Sequence, residues 1–150
     1  MSPSQARPSV DWMLDDLVRG VPGTRDVVVL SADGLRIGHC NTDTESADRL
    51  AAACAGLQSL AAAISEMHPG ADRGISLVVI ESHGGFFYLM AAGTGAYLAA
   101  LADESVDPGL MGQQMRDLVT RLGDHLSSAP RDDEADPDDY DEHADHRAPA

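Results

Sequence analysis

The sequence contains no lysine: all ten basic residues are arginine, set against 25 acidic ones. At a formal charge of −15, with no cluster of arginines, nucleic-acid binding and docking on an anionic membrane are excluded as primary roles. Both need basic side chains massed against phosphates. The missing lysine, beside abundant Ala and Asp, fits the codon bias of a GC-rich genome. Cysteine is scarce as well. Cys40 and Cys54 form neither a CxxC pair nor a zinc pattern, and Cys54 lies in an apolar helical stretch where a buried, inert thiol is expected. His125, His143 and His146 lack metal-ligand spacing with the cysteines or with one another, so no metal or cofactor is expected. Long hydrophobic runs are absent too. The uncharged stretch Leu50 to Ser65 is short for a membrane span and dominated by alanine. Met1 to Ser9 carries no apolar signal region. These features predict a cytoplasmic protein without direct membrane insertion.

What is present reads as one domain with tails, since 150 residues suit a single core. Residues 1–8 read as a flexible arm, 9–126 as the folded domain and 127–150 as an acidic, disordered tail. That tail holds nine acids against Arg131 and Arg147. Ser9 is placed to cap a short helix whose apolar face is Val10, Met13, Leu14, Leu17 and Val18, with Trp12 covering its edge. Val27 to Ser31 and Leu35 to Cys40 flank Ala32-Asp33-Gly34, a hairpin signal. Thr42 and Glu45 have capping-box spacing and open a long helix reaching about Met67, ended by His68-Pro69-Gly70. Ile75 to Glu81 is apolar at almost every position, as in a strand covered on both faces. Two glycine-bearing turns then lead through Phe86 to Ala92 and Ala96 to Ala102. Asp107-Pro108 opens a last helix with Met111, Met115, Leu118, Leu122 and Leu126 on one stripe. The order α-β-β-α-β-β-β-α is that of a layered α+β domain.

The long helix is unusual on its second face. A wheel puts Leu50, Ala53, Cys54, Leu57, Leu60, Ala61, Ile64 and Met67 toward the sheet. Ala51, Ala52, Ala55, Gly56, Ser59, Ala62 and Ala63 lie opposite, with no charge between Arg49 and Glu66. A wet helix face normally carries Glu, Lys or Arg. Small residues there predict close approach of another helix, most simply from a second copy. Together with Ile75, Leu77 and Val79 of the apolar strand, they form the expected homodimer interface, and Arg in place of Ala55 or Ser59 is expected to give a folded monomer.

No catalytic site emerges. His83, in the Ser82-His83-Gly84-Gly85 turn, has no nucleophile beside it. Gly93-Thr94-Gly95 lacks the lysine and the following helix of a phosphate loop. Arg36, Arg49 and Arg73 are exposed candidates for an arginine finger, though a solvated surface charge is the simpler reading of each.

The segments Trp12-Met13-Leu14-Asp15-Asp16-Leu17, Val29-Leu30-Ser31-Ala32-Asp33-Gly34-Leu35, Ala47-Asp48-Arg49-Leu50-Ala51-Ala52, Gly56-Leu57-Gln58-Ser59-Leu60-Ala61 and Gly84-Gly85-Phe86-Phe87 into Ala91-Ala92-Gly93, in this order, resemble the roadblock family of dynein light-chain-like proteins. The resemblance runs from about Val10 to Leu126. It implies a profilin-like fold, with a five-stranded antiparallel sheet and helices on both faces. It implies homodimers formed through the long helix and third strand. It also implies a bacterial regulator or scaffold for a Ras-like small GTPase, in some cases alongside a sensor kinase complex that holds it near the membrane. Arg49 and Arg73 are the expected partner contacts; no catalytic residue carries over. A small-ligand sensor and a purely structural adaptor stand as alternatives, the first opposed by Leu57, Leu60 and Ile64 if they fill the space between helix and sheet.

Overall fold

A computed structural model describes residues 10–70 and 74–128. The expected arm (1–8), Ser9, Arg73 and nearly all of the expected tail lie outside the described residues. The elements are α1 (Asp11–Gly20), β1 (Thr24–Ser31), β2 (Arg36–Cys40), α2 (Thr44–Ser65), β3 (Leu77–Ser82), β4 (Gly85–Ala91), β5 (Ala96–Asp103) and α3 (Pro108–Ser128). The five strands form one antiparallel sheet in the order β2-β1-β5-β4-β3. The fold class and element order read from the sequence hold.

Local chemistry accounts for most of the boundaries. In the β1–β2 turn Gly34 takes a positive φ of 89°, the conformation its missing Cβ permits. Asp107 caps α3, its carboxylate accepting from the amides of Gly109 and Leu110 at 3.0 and 3.2 Å, and Pro108 occupies the first helical position. Two caps differ from expectation. α1 starts from Val10, with no side-chain cap. α2 is capped by Asp43, which accepts from the Ser46 amide at 2.6 Å, and not by a Thr42–Glu45 box. The helix begins one residue later than a Thr42 cap would start it, and the Asp43 carboxylate serves the third amide of that helix, Ser46. That bond, together with the side-chain contact, holds the Asp43 pKa below the ordinary carboxylate value. α3 also runs to Ser128, two residues into the stretch read as tail.

Each face of the sheet has its own core. On one face Met13, Leu14 and Leu17 of α1 and Met111, Met115, Leu118 and Leu122 of α3 bury against Val27, Val29, Tyr88, Met90 and Leu98. On the other, Ala47, Ala51 and Cys54 of α2 press onto Val28, Leu30, Leu89 and Ala99. Burial pushes the Cys54 thiol up to about 11, which makes it the inert cysteine expected. Trp12 does not cover the edge of α1; it is 59% exposed. At position 12 the helix turns its outer side to solvent, since Val10, Met13, Leu14 and Leu17 define the opposite, buried side.

The Tyr88 hydroxyl is buried without a hydrogen-bond partner among the described residues, while its ring stacks on Phe86 at 6.1 Å. A buried polar group without a partner forfeits its hydration and receives nothing in exchange. Tyr88→Phe should therefore leave stability unchanged or raise it by up to about 1 kcal/mol. Urea unfolding of the two proteins measures this, and a loss beyond about 1 kcal/mol would mean that the hydroxyl has a partner.

Candidate interaction surface

Of the large apolar residues left exposed, Leu60, Ile64 and Met67 belong to the end of α2 and Leu77, Val79 and Ile80 to β3, while Trp12, Leu35 and Ile37 are exposed singly on α1, in the β1–β2 turn and on β2. α2 has 22 residues, about 33 Å of helix, and leans chiefly on β1 and β2. Beyond Leu57 none of its side chains joins the core. Leu60, Ile64 and Met67 are 66%, 62% and 81% exposed. With exposed Ala53, Gly56 and Ala63 they make a stripe at alternating three- and four-residue spacing, the seam of a helix that packs against another helix.

The helix is thus rotated from the wheel. Ala51 is fully buried against the sheet and leaves the expected interface, while Ala55 and Ala62 are half-buried. Ala52, Gly56, Ser59 and Ala63 are exposed as expected. Small residues face the sheet because the β1–β2 turn comes close. A β-carbon on Gly34 would stand 3.0 Å from that of Ala55 and 3.6 Å from the Ala51 carbonyl oxygen. Leu60 and Ile64 therefore do not fill the space under α2; Ala47, Ala51 and Cys54 do.

β3 is a second uncovered apolar element: Ile80, opposite Phe87, lies on the α2 face of the sheet, while Leu77 and Val79, opposite Met90 and Tyr88, lie on the α1/α3 face. It is an edge strand, paired only with β4. Leu77, Val79 and Ile80 are 37%, 49% and 43% exposed, so the cover expected on both faces is not supplied by this chain. Ile75, half-buried, precedes the strand. The opposite edge, β2, is five residues long, irregular where Leu30 meets Arg36, and has its His39 amide bonded to the Asp11 carboxylate at 3.0 Å. Short length, irregularity and a capped amide are what keep an edge from pairing. β3 is one residue longer and keeps an unbroken register with β4.

Next to the stripe, the first turns of α2 and the β3–β4 hairpin enclose an open groove of about 680 Å³. Leu50, Ala53, Ile80, Phe87 and Leu101 form its apolar lining, and Arg25 and Arg49 stand on it with Asp26. Arg49 was expected at a contact; Arg25 was not, because only the fold brings the start of β1 beside α2. Elsewhere Arg19 pairs with Asp15 and Asp16, Arg36 with Asp48, and Arg121 with Asp16. Neither Arg25 nor Arg49 has an ion pair among the described residues. His83 is exposed in the β3–β4 turn. Among the described residues no group of three or more His, Cys, Asp or Glu side chains could hold a metal ion. No helix among them is long and apolar enough to cross a membrane.

The sequence model of the Roadblock/LC7 domain matches residues 10–102. The chain belongs to the Roadblock/LC7 family. A Roadblock/LC7 domain from Streptomyces avermitilis is 32% identical, with a TM-score of 0.75 over 81% of this chain and 100% of that one. The gliding protein MglB from Thermus thermophilus is 18% identical, with a TM-score of 0.69 over 82% of this chain and 90% of that one. An MglB is also known in a tetrameric arrangement. Acanthamoeba castellanii profilin IB, 18% identical, aligns with a TM-score of 0.52 over 77% of this chain and 97% of that one. The last three likenesses, at their low identity, describe the fold: this roadblock domain has a profilin-like architecture. A sequence search of curated proteins finds no match.

Proposed function

We propose that this roadblock domain is a non-catalytic homodimer that binds a Ras-like small GTPase and acts as its regulator or scaffold in a bacterial signalling complex. The observation that carries the reading is a pair of uncovered elements. α2 presents a helix seam of Ala53, Gly56, Leu60, Ile64 and Met67, and β3 is an apolar sheet edge that pairs only with β4 among the described residues. Burying each large apolar side chain stabilises an assembly by roughly 1.5–3 kcal/mol. A second copy offers the same seam and the same edge, so a two-fold axis satisfies both together. The GTPase half of the proposal rests on the family. The mechanism is differential binding: a dimer surface that fits one nucleotide state better shifts the switch-loop equilibrium toward that state. Arg49 stays in this reading as a contact for the GTPase, and Arg73, outside the described residues, keeps that role as a proposal.

Affinity capture from native lysate, with GDP in one arm and a non-hydrolysable GTP analogue in the other, tests the partner. A GTPase of about 20 kDa held preferentially in one arm identifies a state-selective regulator. Equal capture in both leaves a scaffold, and capture of no GTPase refutes that half of the reading.

A further inference from the structure

We propose that the acidic C-terminal segment of this chain, centred on Asp138-Asp139-Tyr140-Asp141-Glu142, docks in the groove bearing Arg25 and Arg49. The first 126 residues carry eight arginines against sixteen acids, so the domain surface is strongly negative. The groove brings together two of the eight arginines, Arg25 and Arg49, with Asp26 beside them. Asp103 lies near Arg25, but its carboxylate is already engaged by the Ser105 hydroxyl and amide at 2.5 and 2.8 Å. Asp43 likewise lies near Arg49 with its carboxylate bonded to the Ser46 amide. Two guanidiniums with no ion pair among the described residues, on a groove also lined by Phe87, Leu101 and Ile80, select an acidic segment that also carries an apolar ring. The C-terminal segment fits: residues 129–150 hold nine acids and a single aromatic, Tyr140, flanked by acids on both sides.

Its length is enough when the segment is extended. α3 passes the β4–β5 turn, where Gly123 meets Gly93, and ends five residues further on at Ser128, while the groove lies toward the other end of β5, at Leu101 and Ala102. That separation is about 20 Å of strand plus roughly 20 Å around the sheet, at 3.3–3.4 Å per residue and about 10 Å per layer. The twelve residues from Ser128 to Tyr140 extend to about 40 Å. Docked there, the segment withholds Arg49 and the neighbouring part of α2 from any other partner, so the chain carries its own competitor. The docking itself does not depend on the GTPase reading.

The test uses the full-length chain and no GTPase. Methyl and arginine side-chain NMR spectra are compared between the natural chain and a variant with Asp138→Asn, Asp139→Asn, Asp141→Asn and Glu142→Gln. The signals of Ile80, Leu101 and Arg49 should differ between the two, and about 0.5 M salt should move the natural spectrum toward that of the neutralised chain by screening. A synthetic peptide of residues 129–150 added to the neutralised chain should restore the natural positions. It should bind at least tenfold more weakly when Arg25→Ser and Arg49→Ser are also present, and unchanged with Arg116→Ser. Identical groove signals with and without the acids would overturn the proposal. So would peptide binding indifferent to the two arginines, or groove signals that follow protein concentration and not tail charge, since a second copy would then fill the groove.

Discussion

Ile64→Arg should yield a folded monomer. Ile64 stands in the middle of the exposed stripe on α2, 62% exposed and outside both cores. Nothing within the chain depends on it, so the far-UV circular dichroism should be unchanged. In a dimer seated on that stripe, an arginine there would be a buried charge with no acid opposite it. Such a charge costs about 3 kcal/mol or more, a weakening of the dimer by roughly a hundredfold. Size-exclusion chromatography with light scattering at about 1 µM reads the mass directly. A folded Ile64→Arg protein that still has twice the chain mass would place the interface elsewhere. Ser59→Arg should act in the same direction. Ala55→Arg, which the sequence alone offered as an equal test, is not one. Ala55 packs against the Gly34 turn within the same chain, so its replacement disturbs the fold and the assembly together.

That difference marks where the sequence stops being legible. α1 and α3 each have a contrast between buried Leu, Met or Val and solvated charge, and their buried faces came out as read. The hairpin glycine and the Asp107-Pro108 start were likewise decided by backbone chemistry that needs no tertiary information. α2 has no such contrast. Alanine occupies both sides of it, and a wheel ranks faces by hydrophobicity, which favours Leu60, Ile64 and Met67. What sets its rotation is distance: only Ala47, Ala51 and Cys54 are slim enough for the helix to lie close to β1 and to the Gly34 turn. The larger residues are displaced beyond the sheet. The composition of β3 was informative in another way. An apolar strand predicts a covered strand, and the missing cover in the single chain is itself the argument for a second one. Arg25 was invisible because a polar residue at the start of a strand has no pattern to stand out from; its meaning comes from lining the same groove as Arg49.

The largest loss of stability from a single methyl group should come at Gly85. Gly84 and Gly85 look interchangeable in Ser82-His83-Gly84-Gly85, where both serve a turn. The fold separates them. Gly85 is buried with φ at 147°, in the region that β-carbons disfavour, and pairs with Asp103 and Ser82 in the sheet. A β-carbon there would stand 2.8 Å from Asp103 Cα and overlap the Ala102 carbonyl oxygen, both backbone atoms of a central strand. Gly84 has no atom within 4 Å of its would-be β-carbon and no positive φ. Backbone strain costs about 1–3 kcal/mol and overpacking a similar amount, so Gly85→Ala should destabilise by about 3 kcal/mol or more. For a domain of this size that is a fall in Tm of about 10–20 °C. Gly84→Ala should stay within about 0.5 kcal/mol of the natural chain. Thermal unfolding of both, at equal protein concentration so that self-association contributes equally, gives the comparison. Equal Tm values would mean that the β3–β4 hairpin does not pack on β5 at Ala102, and the groove built on that corner would fall with it.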